Sequence, residues 1–211
     1  LSVMTLVFDL GGVVLNWHPS KLLQQVWPHR VKGDEDAKIW AGQIFESFNP
    51  QSDWAQFDLG LIDTENLATQ IAHRVGVSKA EMETLIESIP QHLAPLKGTV
   101  KILSDLKSAG HDLFFLSNMP ASYAHYLEST HDFFQYFSDG LFSARVQCIK
   151  PSAKIFEMAN NKFKVSGKNT IFIDDVKHNV EAAELHGWTG IWFQSPTQLR
   201  QTLVNSQLLK A

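Results

Sequence analysis

A three-layer α/β fold with a parallel sheet is predicted by three features of the 211-residue sequence. Short apolar runs at residues 6–8, 113–116, 171–173 and 191–193 read as buried strands. Helical periodicities separate the last three runs, and strands alternating with helices imply a parallel sheet covered on both faces. Residues 20–93, between the first two runs, read as helix with no convincing strand. The predicted organisation is a core domain of residues 1–15 and 95–211 with an inserted helical subdomain of residues 16–94.

The first strand runs into Asp9 and then Gly11 and Gly12, and glycines let a chain turn sharply and approach a ligand closely. Residues 17–20 read as a linker ending in Ser20, the predicted N-cap of a short helix carrying Leu22, Leu23 and Val26. Ile39, Ile44 and Phe45 mark a second amphipathic helix. Asp63-Thr64-Glu65-Asn66 opens a third, through Leu67, Ile71 and Val75, stopped by Gly76. Ser78-Lys79-Ala80-Glu81 has capping-box spacing ahead of Met82, Leu85, Ile86 and Ile89. Beyond Pro95, Ile102, Leu106 and Ala109 define a helix ended by Gly110. The strand at 113–116 leads to Ser117-Asn118 and a helix near residues 121–129. Leu141-Phe142 is a weak strand, and Lys150-Pro151 precedes a helix with Ile155, Phe156 and Met158. The strand at 171–173 closes on Asp174-Asp175 before a helix over 177–186, stopped by Gly187. Leu199 and Leu203 belong to a terminal helix.

Hydrophobic residues make up 44% and charged residues 19%, enough for a sizeable core. A formal net charge of −4 with no basic run argues against a nucleic-acid surface. No apolar stretch reaches the roughly 18 residues of a membrane span. The first residues lack the positive start and small-residue cleavage site of a signal peptide, and Met4 is read as the natural start. Cys148 stands alone, so no intramolecular disulfide can form; this suits a reducing cytoplasm, the expected location.

Three of the four strong strand candidates end in polar residues: Asp9, Ser117-Asn118 and Asp174-Asp175. A parallel sheet brings those ends to one edge, where open α/β sheets bind ligands. Carboxylates gathered there without a cation raise one another's pKa, whereas Mg²⁺ accepts carboxylate, water and phosphate oxygens. Lys150 adds a fixed positive charge, and Ser117 a hydroxyl suited to phosphate oxygens. Together these describe a site for a small phosphate ester beside Mg²⁺, with one carboxylate free to attack.

Asp9 after an apolar strand, Ser117 after the second strand, Lys150 before a helix, and Asp174-Asp175 with Asn179 follow one another in a telling order. That order resembles the haloacid dehalogenase-like (HAD) hydrolase superfamily, over nearly the whole chain. The resemblance implies a Rossmann-like core with a mobile helical cap between the first two motifs. It implies that Asp9 is the nucleophile of an aspartyl-phosphate mechanism. It implies that Mg²⁺ is held by Asp9, the Gly11 carbonyl and Asp175, with Asp174 and Asn179 holding metal-bound waters. Ser117 and Asn118 are implied to hold the phosphoryl oxygens, and Lys150 to neutralise charge on Asp9 and phosphate. The expected activity is Mg²⁺-dependent hydrolysis of a small phosphorylated metabolite, with a sugar phosphate among the candidates.

One position departs from that pattern. The phosphatases of this superfamily carry a second Asp two residues after the nucleophile, as general acid and base, and here that residue is Gly11. The Asp-Leu-Gly-Gly pattern resembles a subgroup that includes sugar-phosphate phosphatases. His18 and His178 are candidate replacement bases. A 2-haloacid dehalogenase and a phosphate-binding protein of weak activity are the alternatives. Trp17, Trp40, Trp54 and Phe57 are candidates to line the cap cleft or to form the cap's own core.

Overall fold

β1 (Thr5–Phe8) is the central strand of a five-stranded parallel sheet in the computed structural model, which describes residues 3–210. Residues 1, 2 and 211, the ends of the predicted core segments, lie outside the described residues. After β1 come α1 (Pro19–Val26), α2 (Asp34–Phe45), α3 (Asp53–Asp58), α4 (Thr64–Val75) and α5 (Lys79–His92). Then α6 (Lys97–Ser108) leads to β2 (Asp112–Ser117), and α7 (Ala121–Thr130) to β3 (Asp139–Phe142). α8 (Ser143–Val146) and α9 (Ala153–Phe163) lead to β4 (Thr170–Asp174). Finally α10 (Lys177–Leu185) leads to β5 (Thr189–Trp192), and α11 (Pro196–Asn205) follows. The strand order is β3-β2-β1-β4-β5.

Alternation along the central strands splits the interior in two, because successive strand residues point to opposite faces. Leu6, Phe8, Leu113, Phe115, Ile171 and Ile173 join the larger core, shared with α6, α11 and the helices of the insertion. Val7, Phe114, Leu116 and Phe172 face the other way, onto Phe156 and Phe163 of α9 and onto Trp188. No described helix is long and apolar enough to cross a membrane.

The chain enters and leaves the helical insertion side by side. Asn16 N–H donates to the Ala94 carbonyl at 2.8 Å, and Leu96 N–H to the Val14 carbonyl at 2.8 Å. Inside the insertion the capping box at Ser78 and Glu81 forms, and the Asp63 side chain caps α4 by accepting from Asn66 N–H. Two local expectations need correcting. Ser20 is not an N-cap: α1 begins two residues earlier than that cap implies, with Pro19 at N1, where its fixed φ suits a helix start, and His18 takes the cap position without a side-chain bond. Ile39 faces solvent at 60% exposure, and α2 buries Ala37, Ile44 and Phe45 instead. The edge strands β3 and β5 also start earlier than their apolar runs. An edge strand keeps polar residues such as Asp139 and Thr189, so the run marks only its inner half.

Candidate active site

The register sets the site. Phe8 lies opposite Phe115 of β2 and Ile173 of β4, so the next residues of three adjacent strands emerge together at one edge. Asp9 holds its place through Asp9 N–H, which donates to the Ile173 carbonyl at 2.9 Å. The chain then wraps around the Leu10 carbonyl, which accepts from Val13, Val14 and Leu15 at 3.1, 2.9 and 2.9 Å. Gly12 makes this loop possible: its φ is +81°, and a Cβ there would stand 2.3 Å from Asp175 Oδ2. Gly11 differs, since a Cβ on it would meet nothing within 4 Å.

Lys150 lies at the centre of the charges. Its buried ammonium donates to Asp174 Oδ2 at 2.7 Å and to the Leu116 carbonyl at 3.0 Å, and pairs with Asp9 Oδ1 at 2.9 Å. Asn118 clamps the Lys150 backbone from both sides: its Oδ1 accepts from Lys150 N–H at 2.9 Å and its Nδ2 donates to the Lys150 carbonyl at 3.1 Å. Asp174 is fully buried, and its oxygens also accept from Asn179 Nδ2 at 3.2 Å and from Val176 N–H at 2.8 Å. Burial works to lower the Lys150 pKa, yet Asp174 and Asp9 overcome it and hold the ammonium above its ordinary range.

One cation does not balance the carboxylates. Burial first, and Asp174 second, pushes Asp9 well above the usual carboxylate range, against the pull of Lys150. Burial and Asp174 likewise push Asp175 up to about 6. Oxygens of Asp9, Asp174 and Asp175 lie within 4.8 Å of one another, a hard-oxygen donor set that fits Mg²⁺. The Ser117 hydroxyl is buried with no hydrogen-bond partner among the described residues. A buried polar group left unpaired costs about 1–3 kcal/mol, which a ligand oxygen can recover.

A cavity of about 260 Å³ opens onto Asp9, Gly11, Asn118, Lys150, Asp175 and Asn179. Of the predicted site residues, Ser117 and Asp174 lie behind its wall rather than on it. Of the two candidate bases, His178 lines the cavity and His18 does not. Trp17 and Trp54 line it too, whereas Trp40 packs edge-on to Trp27 and Phe57 sits between Trp54 and Tyr123. Sequence reasoning missed Phe48, Asp58, Met119 and Tyr123, which also line the wall. For Asp58 a signal existed: Phe57-Asp58-Leu59-Gly60 repeats the Phe8-Asp9-Leu10-Gly11 string.

Comparison with known proteins agrees with this layout. The chain is 26% identical to the sesquiterpene phosphatase astK of Aspergillus oryzae over 186 residues, covering 88% of this chain and 87% of that one. It is 22% identical to an (S)-2-haloacid dehalogenase of Pseudomonas putida over 198 residues, covering 90% of this chain and 84% of that one. A HAD family enzyme from Bacteroides thetaiotaomicron, solved in complex with magnesium and inorganic phosphate, shares the fold with a TM-score of 0.68. That likeness comes at 21% identity and covers 92% of this chain and 95% of that one. The family model for haloacid dehalogenase-like hydrolases matches residues 3–187, and the chain belongs to that hydrolase family.

Proposed function

We propose that the chain is a Mg²⁺-dependent phosphatase that hydrolyses a small phosphorylated metabolite through an aspartyl-phosphate on Asp9. The observation that carries this reading is the cavity that closes on Asp9, with Lys150 paired to it and an unbalanced carboxylate set beside it. In this reading Asp9, the Gly11 carbonyl and Asp175 hold the metal, and Asp9 attacks phosphorus. When bound, Mg²⁺ neutralises developing charge on the transferring phosphoryl group. Lys150 offsets charge on Asp9 and phosphate, and Ser117 and Asn118 bracket the phosphoryl oxygens. Asp174 and Asn179 act as positioning residues; their mutual contact and Asp174's bond to Lys150 support this.

Residues 16–94 serve as a helical cap on the core of residues 1–15 and 95–211, with the paired connections at 14–16 and 94–96 as its base. The cap side of the cavity carries Trp17, Phe48, Trp54, Ile89 and Leu93, with Met119 and Tyr123 from the core. This wall supports an ester with an apolar organic group over a sugar phosphate. The likeness to a sesquiterpene phosphatase points the same way.

The test is phosphate release from an aryl phosphate and a panel of terpenyl, alkyl and sugar monophosphates, with Mg²⁺ or with chelator. Chelator-sensitive release is expected, falling by more than about 10³-fold in Asp9→Asn while circular dichroism stays unchanged. Release that survives Asp9→Asn would end the nucleophile assignment. Halide release from 2-haloacids in place of phosphate release would move the chain to the dehalogenases. Phosphate binding with neither activity would leave a binding protein.

A further inference from the structure

We propose that Asp58, at the C-terminal end of α3, is the proton donor and acceptor of the reaction, supplying from the inserted helices what position 11 lacks. The proposal rests on the phosphatase reading above. Asp58 lines the same cavity as Asp9, Gly11 and Lys150 and is only 8% exposed. Its carboxyl oxygens make no hydrogen bond or ion pair among the described residues, so the group is free to handle a proton. Its position is nonetheless fixed, through the backbone. Ser143 Oγ donates to the Asp58 carbonyl at 2.5 Å and accepts from Met119 N–H at 2.9 Å. That bridge ties the end of α3 to the loop directly after Ser117-Asn118. Gly60, φ +72°, seats the same turn on α8, where a Cβ would stand 2.9 Å from the Ala144 carbonyl.

Elimination leads to the same residue. The titratable groups on the cavity wall are Asp9, Asp58, Tyr123, Lys150, Asp175 and His178. Asp9 and Asp175 are assigned to attack and metal, and Lys150 is locked between two carboxylates. Tyr123 donates its hydroxyl proton to the Ile86 carbonyl at 2.6 Å, and burial raises its pKa well above 10, so it gives up no proton near neutrality. His178 is exposed, in the first turn of α10. Asp58 remains. Burial pushes its carboxyl up to about 7, against the attraction of Lys150, and a proton carrier works best with a pKa near the working pH. The open space beside Gly11 leaves room for a leaving group or a water.

The steps balance. In the first, an Asp9 oxygen bonds to phosphorus as the bond from phosphorus to the alcohol oxygen breaks. The Asp58 carboxyl proton passes to that oxygen, and a neutral alcohol leaves. In the second, a water oxygen bonds to phosphorus as the bond from phosphorus to Asp9 breaks. The Asp58 carboxylate takes a proton from that water, and both carboxyl groups return to their starting states.

Asp58→Asn tests this with two esters, an n-alkyl phosphate with a poor leaving group and 4-nitrophenyl phosphate with a good one. The expected result is a fall in kcat on the alkyl ester of about 10²-fold or more, with KM little changed. On the nitrophenyl ester the first turnover persists as a burst of one nitrophenolate per enzyme, and the aspartyl-phosphate then accumulates because water lacks its base. The wild-type pH profile shows a limb near pH 7 that Asn removes and Asp58→Glu restores. Unchanged alkyl turnover in Asp58→Asn overturns the proposal, as does a rise in KM alone, which would make Asp58 a holder of a polar substrate group. A large loss in His178→Gln with none in Asp58→Asn overturns it too. If Asp58→Asn fails to fold, the wild type still decides. Alkyl and nitrophenyl esters turned over within about 10-fold of each other support an acid at the leaving group, and a gap of about 10⁴-fold removes it. A wild type without Mg²⁺-dependent turnover ends the phosphatase reading itself; an active wild type with an indifferent Asp58 ends this proposal alone.

Discussion

The string Phe-Asp-Leu-Gly occurs at residues 8–11 and again at 57–60, and the two copies fold differently. In the first, Phe8 ends a strand and Asp9 stands beyond it. In the second, Phe57 and Asp58 close a helix, with Leu59 N–H bonded back to the Ala55 carbonyl at 2.9 Å. Both copies bury a carboxyl on the wall of one cavity. Asp9 has Lys150 at 2.9 Å and the Leu10 N–H at 2.8 Å, whereas the Asp58 carboxyl has no such partner among the described residues. Tertiary neighbours, not the local string, decide which carboxyl is paired and which is left to exchange a proton.

Removing the pairing should have the largest effect. Lys150→Met makes Asp9 resemble Asp58 and leaves Asp174 buried without its cation. Breaking a buried pair by deleting one partner costs about 3–5 kcal/mol. The cost should depend on pH. Asp9 is already raised by burial, and loss of Lys150 removes the charge that lowers it. A carboxyl raised in the folded state loses stability as pH climbs from its unfolded pKa through its folded one. Urea midpoints should therefore separate variant from wild type far more at pH 8 than at pH 5. Equal separations at both pH values would mean that Lys150 acts by packing, over Phe172 for instance, rather than by charge.

The same contrast explains what could be read from the sequence. The sheet and the strand-end carboxylates were legible because buried parallel strands are continuous apolar runs and their ends share an edge, whereas Lys150, in the loop between α8 and α9, was legible through its place in the order of motifs. The cavity wall was not. Phe48 and Trp54 come from short turns and a six-residue helix whose periodicity is too brief to register, and Tyr123 reads as one more buried helical aromatic. Even the glycines of the two strings have different duties, which only three dimensions show. Gly11→Ala should change stability by less than about 0.5 kcal/mol, since its Cβ meets open space. Gly60→Ala should cost about 1–2 kcal/mol, because a side chain at φ +72° is strained and here also presses on Ala144. Matched denaturation curves of the two variants check the pair, and equal costs would undo the distinction.

A more modest effect on stability tests the unpaired state of Asp58 without any substrate. The Asp58 carboxyl is raised from 3.8 to about 7 in the folded protein, first by burial. The folded state therefore binds more protons than the unfolded state between those values, and the group's contribution worsens as pH rises across that window. Asn carries the same shape without the charge. Asp58→Asn should accordingly melt close to wild type at pH 4 and above it at pH 8, by about 1 kcal/mol or roughly 2–4 °C. The sign is opposite to that of Lys150→Met, although both substitutions alter a buried charge on one cavity. Lys150→Met strands a paired carboxylate, whereas Asp58→Asn relieves an unpaired one. If Asp58→Asn instead melted lower at pH 8, the carboxylate would have a stabilising partner in solution, and its freedom to carry a proton would be lost with it.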